Sequence, residues 1–338
     1  MPDPDFRRMQ SALACAQPDR VPLAELWIDR VIMERFINKP IGSHDTGEDY
    51  DLQAEIEFWL RAGYDYIHIE PRYFFPKKSG RQPTPDEHNG LITSWDEFEN
   101  YPWPTLMEVD FSSLENAPDL LPPGMAIIAG TSGIFEDTWM IMGFETLCLA
   151  IHDQPDLVEA VFYRVGNFIT QIFERIVAYP RVGALWISDD LAYTSGPIVN
   201  PNVYKQWLFS WYRQIKKIAA KKNMPLLLHS DGDLSLLLPD LLEIGFNGLQ
   251  PIEPKAMDIC ALKKSFGSRL CLIGNIELDF PLVRGKPDDV TQAVKELIRA
   301  IAPGGGFCLG SSNTIPYYVP LENYVAMIEA CRRYGTYS

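Results

Sequence analysis

No uninterrupted apolar stretch in the 338 residues approaches the ~18 that a membrane-spanning helix requires, so a transmembrane protein is not expected. The N-terminus, MPDPDFRRMQ, lacks the basic region and following apolar run of a secretory signal. Positive charge is in short supply: 30 Lys and Arg stand against 45 Asp and Glu, a formal net charge of −15. Nucleic-acid binding needs clustered cations to neutralise phosphates, and no basic patch is visible, so a nucleic-acid partner is excluded. The same imbalance is unfavourable for a polyanionic substrate. The six cysteines (Cys15, Cys148, Cys260, Cys271, Cys308 and Cys331) are scattered and form no C-x-x-C pair. Reduced, mostly buried thiols in a cytoplasmic protein follow from that usage. Neither a G-x-G-x-x-G after a first strand nor a Walker P-loop is present, which removes the obvious nucleotide cofactors.

What is present is material for one large core, with 46% hydrophobic residues and 12% aromatics. Eight short apolar runs alternate with helical patterns. They are RVPLAELWID (20–29), YDYIHIEPRY (64–73), GMAIIAGTSG (124–133), GALWISDDLAY (183–193), PLLLH (225–229), NGLQPIEP (247–254), RLCLIGNIEL (269–278) and GGFCLGSSNTIP (305–316). Amphipathic segments such as PDLVEAVFYRVGNFITQIFERIVA lie between most of them. Strands alternating with helices imply a parallel sheet, and eight is the number that closes a (β/α)8 TIM barrel. A doubly wound open sheet is the rival architecture. The chain 1–338 reads as a single domain, with a Pro-, Trp- and acid-rich surface excursion around 77–108.

In such barrels the active site lies at the C-terminal ends of the strands. Those ends carry Glu25, Glu70, Asp189, Asp190, His229, Asp231, Glu253, Asn275 and Asn313. Any single carboxylate there could be a helix cap; six converging on one mouth point to a metal or to acid–base work. His229 and Asp231, two apart on an extended chain, face the same way and suit zinc, iron or manganese. The plain alternative is that Asp231 caps the next helix while His229 donates to a carbonyl. Asp189 and Asp190 alternate faces, so at most one of them enters the site. Tyr193 offers a phenol. In NPNVYKQW, Asn200 is a plausible cap and Pro201 a first helical residue.

Four blocks, in order, carry a family resemblance. RRMQSALACAQPDRVPL matches an opening helix followed by a PDRVP-type first strand. SDDLAYTSGPIVNPNVYKQW resembles a DDLG…GPLLSPEMYREF region. LLHSDGDLSLLLPDLLEIGFNGLQPIEPKAMDICALKKSFGSRLCLIGNIE is similar to an HSCGN…LLPDLIEAGVDALNP…MDPAELKKRFGDRLTFWGGID core, and GGGFCLGSSNTIPYYVPLENYVAMIEACRRYG to a GGGYIL…NIPPDVPPENVLAMIEAAREYG end. These blocks resemble the uroporphyrinogen decarboxylase superfamily over nearly the whole chain, which implies a (β/α)8 barrel.

The resemblance implies one of two chemistries. Metal-free decarboxylases carry an RQAGR-type segment after the first strand to pair with a tetrapyrrole's carboxylates. Here that region reads LWIDRVIMERFINKP, with Arg30 and Arg35 but not the motif, and Glu70 stands where the family has its catalytic Asp. Cobamide-dependent methyltransferases hold zinc through His-x-Cys after the fifth strand and a Cys after the eighth. His229 matches that His, whereas Asp231 and Asn313 replace the two cysteines. Cys308, five residues before Asn313 and of opposite strand parity, is expected to face the helices.

The leading expectation is therefore a metal-assisted methyltransferase acting on a small methylated compound, an aryl methyl ether being one. His229, Asp231 and Glu253 would hold zinc or another divalent ion. Catalytic roles fall to Asp189 or Asp190, Glu70 and Tyr193, and substrate contacts to Glu25, Trp27, Trp139, Asn275 and Asn313. A separate corrinoid protein would dock over the mouth, because no DxHxxG cobalamin motif is present, and a homodimer is compatible. A metal-free, cofactor-free carboxy-lyase is the alternative, and a non-catalytic binding protein the third.

Overall fold

The computed structural model describes residues 3–43, 49–76 and 90–337. Seven strands form one all-parallel sheet in sequential order. They are β1 (Tyr66–Ile69), β2 (Ala126–Ser132), β3 (Val182–Ser188), β4 (Leu226–His229), β5 (Gly248–Gln250), β6 (Cys271–Ile276) and β7 (Phe307–Ser311). Each lies inside a run that the sequence marks as a strand, except that β3 starts one residue earlier, at Val182. All are almost wholly buried, as expected of a parallel sheet covered by helices.

The eighth expected strand behaves differently. Residues 20–29 form only isolated bridges: Arg20 to Thr336, antiparallel, and Leu23 to Leu309 and Ile28 to Ile315, both parallel. On this side Ala24 donates to the Leu309 carbonyl (2.8 Å) and Leu309 to that of Pro22 (2.9 Å). On the other side the Tyr66 phenol takes the place of a backbone ladder. It donates to the Glu25 carbonyl (2.6 Å) and accepts from the Glu25 N–H (2.9 Å). Pro22 has no N–H to offer and Glu25's groups are taken by the phenol, so the barrel closes through a side chain here.

The helices follow local rules. Pro155 opens the helix Pro155–Ile176, whose buried stripe (Leu157, Val161, Phe162, Val165, Ile169, Phe173) recurs every three to four residues. Asn200 caps as expected, accepting from the Asn202 N–H at 2.9 Å. The helix it starts passes through a π turn at Tyr204–Leu208 before continuing as Phe209–Ala220. Within the expected excursion, residues 77–89 lie outside the described residues. The remainder carries a short helix, Trp95–Asn100, and an aromatic cluster in which Trp103 meets Phe98 (5.5 Å) and Tyr101 (4.7 Å). The opening helix Arg7–Leu13 covers the base of the barrel. There the Cys308 thiol touches Cys271 (3.7 Å) and Met9 (3.6 Å), away from the mouth.

Candidate metal centre

Because side chains alternate along a strand, the register of β3 and β4 decides which polar groups enter the mouth. Ser188 pairs with His229, so Asp189 turns outward and Asp190 inward. The Asp189 carboxylate accepts from the N–H groups of Phe135 (3.0 Å) and Glu136 (2.9 Å) and from the Tyr212 hydroxyl (2.7 Å). It caps the helix Ile134–Met142 from another strand, which no local sequence pattern could reveal. A Cβ on Gly133 would lie 2.1 Å from its Oδ1, so the close approach depends on glycine. Of the two adjacent acids, Asp190 is the one that enters the mouth, and Asp189 is structural.

His229 sits buried at the end of β4. Its Nδ1 is 2.5 Å from Gln250 Oε1, and the Gln250 amide donates at 2.6 Å to the Asn313 carbonyl. With its NH2 committed to a carbonyl, Gln250 presents oxygen to the imidazole, so Nδ1 carries the hydrogen. Nε2 then points a lone pair at two carboxylates, Asp190 Oδ1 at 3.7 Å and Asp231 Oδ1 at 3.9 Å. Asp231 Oδ1 is buried and has no hydrogen-bond partner among the described residues. Its other oxygen accepts from the Asn313 amide at 2.5 Å, and Asp190 Oδ1 accepts from the Asp231 N–H at 2.8 Å. Donor atoms from Asp190, His229 and Asp231 all lie within 4.8 Å of one another.

A lone pair and two carboxylates repel one another unless a cation lies among them. Two ligands on a tetrahedral zinc with bonds of about 2.1 Å are ~3.4 Å apart, close to the separations here. The unpartnered oxygen and the fixed tautomer therefore fit a divalent ion with one nitrogen and two oxygen donors. Burial pushes the Asp231 carboxyl up to about 6, with Asp190 and Glu253 adding to the rise and His229 opposing it.

The sequence-based metal set changes in one member. The three-donor group contains Asp190 and not Glu253, whose Oε2 accepts from the Gly232 N–H at 2.8 Å. Gly232 holds φ +86°, and a Cβ there would fall 2.4 Å from the Ala192 carbonyl oxygen. Gly232→Ala is expected to lower stability by roughly 2 kcal/mol or more and to loosen metal binding, read by thermal melts and by metal titration. Gln250, which sequence reasoning missed, holds the imidazole from behind. Gln250→Ala is expected to weaken metal affinity about 10–100-fold while leaving the fold intact, measured by competition with a chelating dye.

The other expected residues divide by location. Trp139, Tyr193, Asp190, Asp231 and Glu253 line a cavity of about 460 Å³ beside the cluster, together with Glu136. Asn313 lines an adjoining cavity of about 300 Å³. Trp27 and Glu70 line a separate cavity of about 440 Å³. Asn275 is buried in the ladder opposite Gly310 and lines neither cavity beside the cluster. Glu25 does not reach the mouth. It is fully buried, accepting from the Ser311 N–H (2.6 Å) and hydroxyl (2.8 Å), and burial pushes its carboxyl up to about 8. Glu136, also missed, borders two of the cavities; burial above all, then Asp190 and Asp189, pushes its carboxyl up to about 9. It reads from sequence as an ordinary first-turn helix acid.

Fold and site together define a (β/α)8-type barrel with an acid-rich mouth. Residues 81–334 match the family model for uroporphyrinogen decarboxylase (URO-D), and the chain belongs to that family. Among curated relatives, a methylcobamide:CoM methyltransferase (MtaA) of Methanosarcina barkeri is 32% identical over 152 residues, 44% of this chain and 41% of that protein. A methylated-thiol–coenzyme M methyltransferase of Methanosarcina mazei is 23% identical over 198 residues, 57% of this chain and 49% of the relative. A uroporphyrinogen decarboxylase of Coxiella burnetii is 22% identical over the same length, 57% of this chain and 52% of the relative. The chain thus spans about half the length of the curated relatives it matches. A solved methyltransferase from Methanosarcina mazei shares the fold, with a TM-score of 0.70 at 19% identity over 98% of this chain and 99% of that one. Among the described residues no helix is long and apolar enough to cross a membrane.

Proposed function

We propose that the protein is a metal-assisted methyltransferase that moves a methyl group between a small methylated substrate, an aryl methyl ether for example, and a corrinoid protein. The observation that carries this reading is the convergence of His229 Nε2 and the unpartnered Asp231 Oδ1 with Asp190. Methylcobamide and methylated-thiol methyltransferases among the relatives support the class. Asp190, His229 and Asp231 would hold zinc or another divalent ion, which when bound supplies a Lewis acid for the leaving heteroatom. Oxygen donors in two of three positions make a harder site than one built on thiolates, better matched to an ether or amine than to a thiol.

The chain's own residues do the rest. Gln250 fixes the imidazole tautomer, Asn313 orients both Gln250 and Asp231, and Trp139 and Tyr193 wall the cavity beside the cluster. A corrinoid-carrying partner is accommodated by the rim. Trp27, Tyr193, Leu236, Phe280, Tyr317 and Tyr318 are all more than half exposed and follow the C-terminal ends of strands.

The test is to incubate the purified protein with cob(I)alamin and a panel of methyl ethers and methylamines. Formation of methylcobalamin, dependent on added metal, is the expected result. No transfer with any donor, together with carbon dioxide release from a carboxylated substrate, would replace this reading with a metal-free carboxy-lyase.

A further inference from the structure

The mouth holds a second polar cavity that the metal cluster does not use. It has a volume of about 440 Å³, lies over the ends of β1, β2 and β3, and is lined among others by Trp27, His68, Glu70, Glu136 and Ser188. Two residues of its wall have a buried polar atom without a hydrogen-bond partner among the described residues, His68 Nδ1 and Ser188 Oγ. The His68 side chain is only 8% exposed. A buried polar group without a partner costs free energy, so two of them bordering one cavity ask for a ligand that satisfies both.

The chemistry of that ligand follows from the two atoms. His68 Nε2 faces Glu70 Oε1 at 3.2 Å, and a carboxylate only accepts, so Nε2 carries the hydrogen and Nδ1 is a bare acceptor. Ser188 offers a rotatable hydroxyl. The site therefore asks for a molecule with one O–H or N–H donor and one acceptor oxygen. Charge narrows it further: Glu70 lines the cavity with Glu55 and Glu136, whose carboxyls burial raises. Arg72, the one cationic side chain among the lining residues, is bound to Asp110 at 2.6 Å. A carboxylated ligand meets the Glu70 carboxylate there and, among the described residues, no free guanidinium. Apolar surface from Leu26, Trp27 and Ile69 suits a flat ring. Space for His68 and Glu70 depends on Gly130, where a Cβ would lie 2.9 Å from the imidazole and 3.2 Å from the Glu70 carboxylate. Glu136 borders both this cavity and the one beside the metal cluster, so the two cavities are neighbours.

We infer that this cavity binds the methyl donor, and that it selects a neutral phenolic methyl ether over carboxylated or fully methylated analogues, with His68 and Ser188 as the specificity-determining residues. The inference rests on the methyl-transfer reading for the word donor; the binding selectivity does not. The full-length protein, without metal or corrinoid, is titrated calorimetrically with 2-methoxyphenol, with 1,2-dimethoxybenzene, which lacks the donor, and with 4-hydroxy-3-methoxybenzoate. The expected result is that 2-methoxyphenol binds at least tenfold more tightly than either analogue. His68→Phe and Ser188→Ala, shown to be folded by circular dichroism, each weaken the phenol about tenfold, and His68→Phe leaves dimethoxybenzene unchanged. No binding of 2-methoxyphenol, equal affinity for the three compounds, or an unaltered phenol-to-ether ratio in His68→Phe would overturn it. Because neither metal nor corrinoid is present, failure of methyl transfer in the earlier assay leaves this outcome unaffected.

Discussion

Replacing His229 by alanine is expected to abolish stoichiometric metal binding and to lower methyl transfer by at least about a thousandfold. The imidazole is the one nitrogen donor in the group, and without it two carboxylates remain side by side in a buried site. A bare pair of that kind neutralises itself by taking up a proton rather than by holding a cation. The fold is expected to survive, because among the described residues the His229 side chain hydrogen-bonds Gln250 alone, and its strand is held by backbone bonds on both sides. Metal content of anaerobically purified wild type and variant, by inductively coupled plasma spectrometry, gives the readout. About one divalent ion per wild-type chain and none in the variant supports the assignment. Equal metal in both would move the site elsewhere, and none in either after soaking with zinc would remove the metal from the reaction.

The second large effect concerns stability and pH. Glu25 is fully buried with no cation against it, and its carboxyl titrates near 8 rather than at its ordinary 4.5. Below 4.5 both folded and unfolded chains hold the proton. Between 4.5 and about 8 the unfolded chain gives it up while the native one keeps it, so this group makes the native state steadily less stable as pH rises. The full effect is on the order of 4 kcal/mol, reached once pH passes the folded value. Glu25→Gln cannot titrate, and its amide can accept from the Ser311 N–H and donate to the Ser311 hydroxyl. Urea unfolding at pH 5 and pH 8.5 is expected to show wild type losing several kcal/mol relative to the variant across that window. Parallel pH dependences would show that Glu25 does not carry this effect.

Both residues occupy strand ends in the sequence, and sequence alone treats them alike. His229 lies on the inward parity of its strand, where neighbouring strands also deliver polar groups. Glu25 lies on a segment pinned to β7, where Ser311 claims its carboxylate before any ligand can. Glu253 shows the same limit. Its position after β5 suits a ligand, but the three-donor group forms with Asp190, and Glu253 accepts the Gly232 N–H. Gln250 and Glu136 went unnoticed for the opposite reason. A glutamine at a strand end and an acid in a helix's first turn are ordinary, and they acquire a role only from what packs beside them.

The sequence by itself determined the architecture. Eight buried apolar runs alternating with helices point to a closed parallel barrel with a doubly wound sheet as rival, and in the barrel chain direction puts every strand's C-terminal residues at one mouth. It also determined that this mouth is acidic and that His229 and Asp231 share a face, because alternation along a strand is a local property. Which second carboxylate joins them, which tautomer the imidazole holds and which acids are only struts were decided by tertiary structure. Each depends on a hydrogen-bond partner 21 to 286 residues away, such as Gln250 for His229 or Ser311 for Glu25. Side-chain alternation is written in adjacent residues, but the supply of donors and acceptors around a buried charge is set by whichever strand and loop fold against it.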